Sequence, residues 1–146
     1  MIASPACPLP RAVLLDTCAA LRIMSNAQIS DTSTGAILEA RRSNSGIYVS
    51  PFLAWEIGTL IAKGRIQLTL SPEIWFERLL AIPGVRLAPL TPEILLSSTR
   101  LPGTPPKDPA DRIVAATARA YGYCLITRDM PLLQYAEMGH MLAIAC

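Results

Sequence analysis

Asp16, Glu56, Asp111 and Asp129 are the residues of this 146-residue chain whose type and placement point to chemistry. Asp111 lies in the run Asp108-Pro-Ala-Asp111-Arg112, which follows a proline-rich loop (101–106) and opens a helix. Local structure accounts for much of that run. Asp108 is an N-cap, Pro109 suits the first helical position, and Asp111 completes a capping-box-like pair against the helix dipole. Local structure does not account for the other three acids. Asp16 and Asp129 each follow a buried apolar run, and Glu56 sits about one and a half turns into another helix, beyond the turn where an acid serves the dipole. If the strands that end at Asp16 and Asp129 are neighbours, one crevice receives all four.

Four carboxylates in one crevice cannot all stay ionised without compensation. Two unit charges about 4 Å apart repel by about 4 kcal/mol at an effective dielectric of about 20. Either protons are retained or hard divalent cations are bound. Oxygen-only ligands without His or Cys select Mg²⁺ or Mn²⁺ over Zn²⁺. The single histidine, His140, lies in a tail segment away from the acids. Divalent ions held by acids alone suit phosphoryl chemistry, in which they activate water and offset the charge of an in-line displacement.

The elements that must position these acids alternate between strand and helix. Residues 12–16 read as a strand buried on both faces, 18–24 as a short helix capped by Asp16 or Thr17, and 31–43 as a second helix weakened by Gly35. A turn at 44–46 leads to a strand at 47–50. Ser50-Pro51 opens a helix to Lys63 with Leu53, Ile57, Leu60 and Ile61 as its core stripe. Gly64 ends it, Ser71-Pro72 opens another helix through Leu80, and Pro83-Gly84 breaks the chain before a strand at 85–87. Thr91-Pro92 caps a helix to about Arg100, and the helix from Pro109 ends at Gly122. A strand over 123–127, a helical turn at 131–135 and a last strand over 141–144 complete the chain. This order predicts an α/β fold, a mainly parallel sheet with helices on both faces, whose functional crevice lies outside the carboxyl ends of the strands.

Half the residues are hydrophobic (51%) and 16% are charged, so a packed core is expected and disorder is not. The length predicts one domain over 12–146 after a loose lead-in at 1–11. The longest stretch without Lys, Arg, Asp or Glu runs over 43–55, short of a membrane span, and the lead-in lacks the basic start of a secretory signal. Net charge of +2 is uninformative about partners. The four cysteines show no close-spaced metal or redox pair; two sit in apolar segments and read as buried thiols, and a reducing, cytoplasmic setting fits them.

Leu14-Leu-Asp-Thr17, Val49-Ser-Pro51 with Ala54-Trp-Glu56, Asp108-Pro-Ala-Asp-Arg112 with Ala115-Ala116, and Leu125-Ile-Thr-Arg-Asp129 together resemble PIN-domain nucleases, and within them the VapC toxins of type II toxin–antitoxin modules. Each motif is short; the ordered set is specific, and it covers residues 13 to about 144. The resemblance implies a three-layer α/β/α sandwich and a Mg²⁺- or Mn²⁺-dependent ribonuclease in which Asp16, Glu56, Asp111 and Asp129 bind metal. It further implies inhibition by a cognate antitoxin protein and homodimerisation. Supporting roles stay open between site and scaffold. Thr127 either supports the metal site or caps a backbone group; Ser50 either hydrogen-bonds in the site or caps its helix. Asp108 reads as a cap, and Lys63, Arg112 and Arg128 as surface or salt-bridging cations that could meet phosphate. Lys107 stands where the family often carries His or another basic residue. Trp55 and Trp75 read as core or dimer-surface anchors, aromatics being too sparse for a stacking strip.

Two other classes compete. An aspartyl-phosphate phosphatase needs a second Asp two residues after the first, where Cys18 stands, and a receiver domain needs a further acidic pair near its first strand, which is missing. A non-catalytic PIN-like domain that only binds RNA or a partner is the remaining alternative.

Overall fold

The computed structural model describes residues 7, 8 and 10–146. Much of the lead-in at 1–11 therefore lies outside the described residues. Five strands, β1 (Val13–Leu15), β2 (Ile47–Val49), β3 (Val85–Leu87), β4 (Cys124–Thr127) and β5 (Leu142–Ala145), form one sheet in the order β3-β2-β1-β4-β5, with every pairing parallel. The helices are α1 (Thr17–Met24), α2 (Asp31–Arg42), α3 (Phe52–Ala62), α4 (Pro72–Ala81), α5 (Pro92–Ser98), α6 (Pro109–Tyr121) and α7 (Met130–Glu137).

β1 and β4 are buried along their whole length, which is why they read as continuous apolar runs, whereas β3 is an exposed edge. Alternate residues feed two cores. Val13, Leu15, Ile47, Val49 and Ile126 pack with Ala19, Ala36, Leu53, Ile57, Trp75 and Leu79 beneath α1 to α4. Leu14 and Leu125 pack with Ile94, Val114, Ala115, Leu132 and Tyr135 beneath α5 to α7. The result is the expected three-layer α/β/α sandwich. Val13 is in register with Ile47 on one side and Cys124 on the other, so β1 is central and the chain reverses its direction of winding between β1 and β4. The carboxyl ends at such a switch point leave a crevice, because the connections from the two strands turn to opposite faces.

Most element boundaries lie within one or two residues of the sequence expectation. α3 starts one residue late: Pro51 occupies the cap position without a side-chain bond, and Ser50 Oγ accepts from the Phe52 N–H at 3.1 Å. The turn expected at 131–135 is a helix of eight residues, because Asp129 caps it and Pro131 suits its first turn. Gly122 closes α6 at φ 69°, a left-handed position where a side chain would be strained.

The cysteines differ from the expectation of thiols. Cys7 and Cys124 form a disulfide with a Cα–Cα distance of 5.8 Å, although 117 residues separate them. The cause is topological: the segment before β1 runs beside β4, with the Cys124 N–H donating to the Ala12 carbonyl at 3.0 Å. Cys18 is half-buried and Cys146 buried, both unpaired. Of the two tryptophans, Trp75 is core, whereas Trp55 is 60% exposed and stacks on Phe52. Among the described residues no helix is long and apolar enough to cross a membrane.

Candidate active site

Asp16 is the first residue past β1 and the N-cap of α1; its Oδ1 accepts from the Ala19 N–H at 2.8 Å. Asp129 stands past β4 and caps α7, with Oδ1 accepting from the Leu132 N–H at 3.1 Å. Since β1 and β4 are paired, these two acids stand side by side at the switch point. Asp108 caps α6 through Oδ2 and the Asp111 N–H at 3.2 Å, which leaves the Asp111 carboxyl free of capping duty. Three helices thus begin at this edge, and their positive ends favour the acids gathered there.

Asp16, Glu56, Asp111 and Asp129 line one cavity of about 260 Å³, together with Thr17, Cys18, Val114 and Leu132. Of the secondary candidates, Thr127, Ser50, Asp108, Arg112 and Lys63 are outside this lining. A larger concavity of about 1160 Å³ runs along β5 between the start of α2 and the ends of α6 and α7, and contains none of the four acids. We take the smaller cavity as the chemical site, because size reports shape while the titratable groups report chemistry.

The electrostatics follow from crowding. Burial raises Asp16 above the usual carboxylate range and the Asp129 charge adds to it, while bonds from Thr127 and Ala19 pull the other way. Burial also raises Glu56, opposed by a hydrogen bond from Thr17 and assisted by the charges of Asp16 and Asp108. Asp111 is pushed up to about 7, by burial first and then by Asp129, Asp108 and Glu56; in its protonated form it hydrogen-bonds to Asp129. Among the described residues the one ion pair is Arg42 with Glu39 at 2.5 Å, on the surface of α2 and outside the crevice lining. Arg112 and Arg128, read as salt-bridging candidates, spend Nε on backbone carbonyls instead, Pro106 at 2.8 Å and Cys146 at 3.1 Å. Among the described residues, therefore, no Lys or Arg forms an ion pair with any of the four acids.

Two hydroxyls organise the acids. Thr127, fully buried, donates to Asp16 Oδ2 and accepts the Asp129 N–H at 3.0 Å. Thr17 donates to Glu56 Oε1 at 2.9 Å. Thr127 is legible in the sequence as a site candidate, whereas Thr17 reads there only as a cap; its place directly after Asp16 is the available signal. Among the described residues no three His, Cys, Asp or Glu side chains are drawn into a formed ligand cage. The donor set nevertheless fits a hard cation. The four acids offer only oxygen, burial and their mutual repulsion disfavour their charged forms, and they line a cavity wide enough for an ion with water.

An open parallel sheet between two helical layers, with an all-carboxylate crevice at its switch point, defines the class of domain. Residues 13–137 match the model of the PIN domain, and the chain belongs to that family. Over 81 residues it is 36% identical to ribonuclease VapC22 of Mycobacterium tuberculosis; the alignment takes in 55% of this chain and spans 61% of the length of that relative. VapBC2 from Rickettsia felis, solved bound to a DNA fragment from their promoter, matches with a TM-score of 0.66 over 92% of this chain and 98% of that one. At 12% identity, that likeness shows the fold.

Proposed function

We propose that this PIN domain is a Mg²⁺- or Mn²⁺-dependent endoribonuclease of the VapC toxin type, hydrolysing RNA phosphodiester bonds. One observation carries the reading: four acids, drawn from sequence positions 16 to 129, line a single crevice, and among the described residues none of them has an ion-pair partner. The ribonuclease relative supports the substrate class.

In this reading Asp16, Asp111 and Asp129 hold the principal cation and Glu56 orients the ion or the attacking water. A bound Mg²⁺ or Mn²⁺ supplies a more acidic water and positive charge against the charge developing on the phosphate. The protein's own groups do the rest. Thr127 fixes the Asp16 carboxylate in one orientation and ties the Asp129 backbone to it. Asp111, which keeps its proton to about neutral pH, releases it when opposite charge enters the crevice. Val114 and Leu132 form the apolar wall, lowering the local dielectric so that each charge counts for more.

A toxin implies a cognate antitoxin, and we assign one as a partner together with a homodimer. The exposed apolar side chains of Trp55, Leu95 and Leu96 offer surface for such contacts. The place of action is the cytoplasm, with the RNA. The deciding experiment is a Mg²⁺ and Mn²⁺ titration of RNA cleavage with an EDTA control. Cation-dependent cut ends support the reading. Cation binding without cleavage would leave a non-catalytic RNA- or partner-binding PIN domain. Toxicity on expression, relieved by the adjacent reading frame, tests the toxin role.

A further inference from the structure

Glu56 differs from the other three acids in how it is held. Asp16 and Asp129 are fixed by their helix caps, and Asp111 sits on the first turn of α6, next to its own cap. Glu56 is an interior residue of α3 with a longer side chain and three torsions to fix. Its one hydrogen bond among the described residues comes from Thr17 Oγ1, at 2.9 Å, across 39 residues of sequence. Thr17 is not needed to start α1, since Asp16 Oδ1 already takes the Ala19 N–H. Its β-branched side chain is stiff about χ1, so its hydroxyl is a firm anchor. The bond engages Oε1, and Oε2 makes no hydrogen bond among the described residues; both Thr17 and Glu56 line the cavity.

We propose that Thr17 is the positioning residue for Glu56: its hydroxyl pins Oε1 so that Oε2 faces the cation and water of the crevice. The assignment rests on the nuclease reading for its consequence, and on the Thr17–Glu56 geometry alone for its existence. It makes α1 carry two parts of the site on consecutive residues, the Asp16 carboxylate and the anchor for the acid on α3.

The test uses Thr17→Val, which keeps the shape and removes the hydroxyl, and Thr17→Ser, which keeps the hydroxyl, each alone and combined with Glu56→Gln. Mn²⁺ affinity is measured by calorimetry, and kcat and KM are measured on a mixed-sequence RNA pool with Mg²⁺. Thermal melting confirms that each variant is folded. The expected result is about a tenfold loss of kcat in Thr17→Val with KM within about twofold, and a weaker Mn²⁺ affinity. Thr17→Ser stays within about threefold of wild type, and Thr17→Val adds nothing once Glu56→Gln is present, because Gln can still accept the Thr17 hydroxyl but has no second carboxylate oxygen left to position. Undiminished Mn²⁺ affinity in a folded Thr17→Val variant would overturn the assignment. So would an equal further loss in the Glu56→Gln background. If the wild-type chain binds Mn²⁺ but cuts no RNA, the nuclease reading fails, and the Mn²⁺ affinities still decide the role of Thr17.

Discussion

Thr127 Oγ1 donates to Asp16 Oδ2, joining two residues 111 positions apart in sequence, and the same oxygen accepts the Asp129 N–H at 3.0 Å. The hydroxyl is fully buried, so a side chain of the same volume in its place leaves no room for a water to stand in for it. Replacing Thr127 with Val keeps the volume, removes the donor to Asp16 and strands the Asp129 N–H. An unsatisfied buried polar group costs about 1–3 kcal/mol, which at this chain length lowers Tm by about 2–4 °C per kcal/mol. Cation-dependent cleavage is expected to fall about 10- to 100-fold, the usual effect of losing a group that orients a ligand. Thr127→Ser should restore both. Calorimetric melting and RNA cleavage of the two variants check this, and a Thr127→Val protein with unchanged activity would remove Thr127 from the site.

Asp16 and Asp129 each serve twice, as helix caps and as acids of the crevice. Asn is the informative substitution, because it keeps the cap oxygen and removes the charge. Asp16→Asn or Asp129→Asn should abolish Mg²⁺-dependent cleavage while the fold persists. Removing one of several repelling charges should also hold or raise Tm in EDTA and erase the stabilisation given by Mn²⁺. Circular dichroism melts with and without Mn²⁺, beside the cleavage assay, measure this. Retained activity in either variant would sink the metal-ligand assignment.

The division of sequence into acids and scaffold was legible wherever a residue's role is local. Asp16 closes an apolar run and Asp108-Pro109 opens a helix, and both signals survive in the fold. The crevice itself depended on β1 and β4 being neighbours, a long-range pairing that no local pattern encodes; alternation of strand and helix made it one arrangement among several. Partners across the chain were beyond reach for the same reason. The Thr17–Glu56 bond, the Cys7–Cys124 disulfide and the contact of Arg128 with the Cys146 carbonyl join residues whose proximity only the folded chain determines. For α7, the signal of Asp129 followed by Pro131 was in the sequence, but a functional reading of Asp129 hid its capping role.

Crowded acids make stability depend on pH in a direction opposite to that of salt-bridged carboxylates. Asp111 rises from 3.8 when free to about 7 in the fold, so between those values the native chain holds a proton that the unfolded chain has released. Without divalent cation, the contribution of Asp111 to stability is therefore fully present below about 3.8 and is lost as pH rises through about 7. Asp16 and Glu56, also raised by burial, act in the same direction. Mg²⁺ or Mn²⁺ should reverse the trend at neutral pH, because binding to the ionised form stabilises the fold. Melting curves from pH 5 to pH 8, with EDTA and with Mn²⁺, are the measurement; a cation-free Tm that rises steadily over this range would contradict the assigned crowding.

Asp108 and Asp111, three residues apart, should separate cleanly by mutation. Asp108 accepts the Asp111 N–H at 3.2 Å and is outside the lining of the crevice, so its work is to start α6. Ser preserves a cap, whereas Ala forfeits about 0.5–2 kcal/mol. Asp108→Ser is therefore expected to retain cleavage within about threefold, and Asp108→Ala to lose stability with activity largely recovered below its lowered Tm. Asp111→Asn should leave the helix start intact and remove cation-dependent cleavage. Because the Asp108 charge helps raise Asp111, Asp108→Ser should also lower the pH at which Asp111 releases its proton. Carboxyl NMR titration of Asp111 in the two backgrounds reads that shift directly. An Asp108→Ser variant as inactive as Asp111→Asn would show that both acids, and not one, belong to the chemistry.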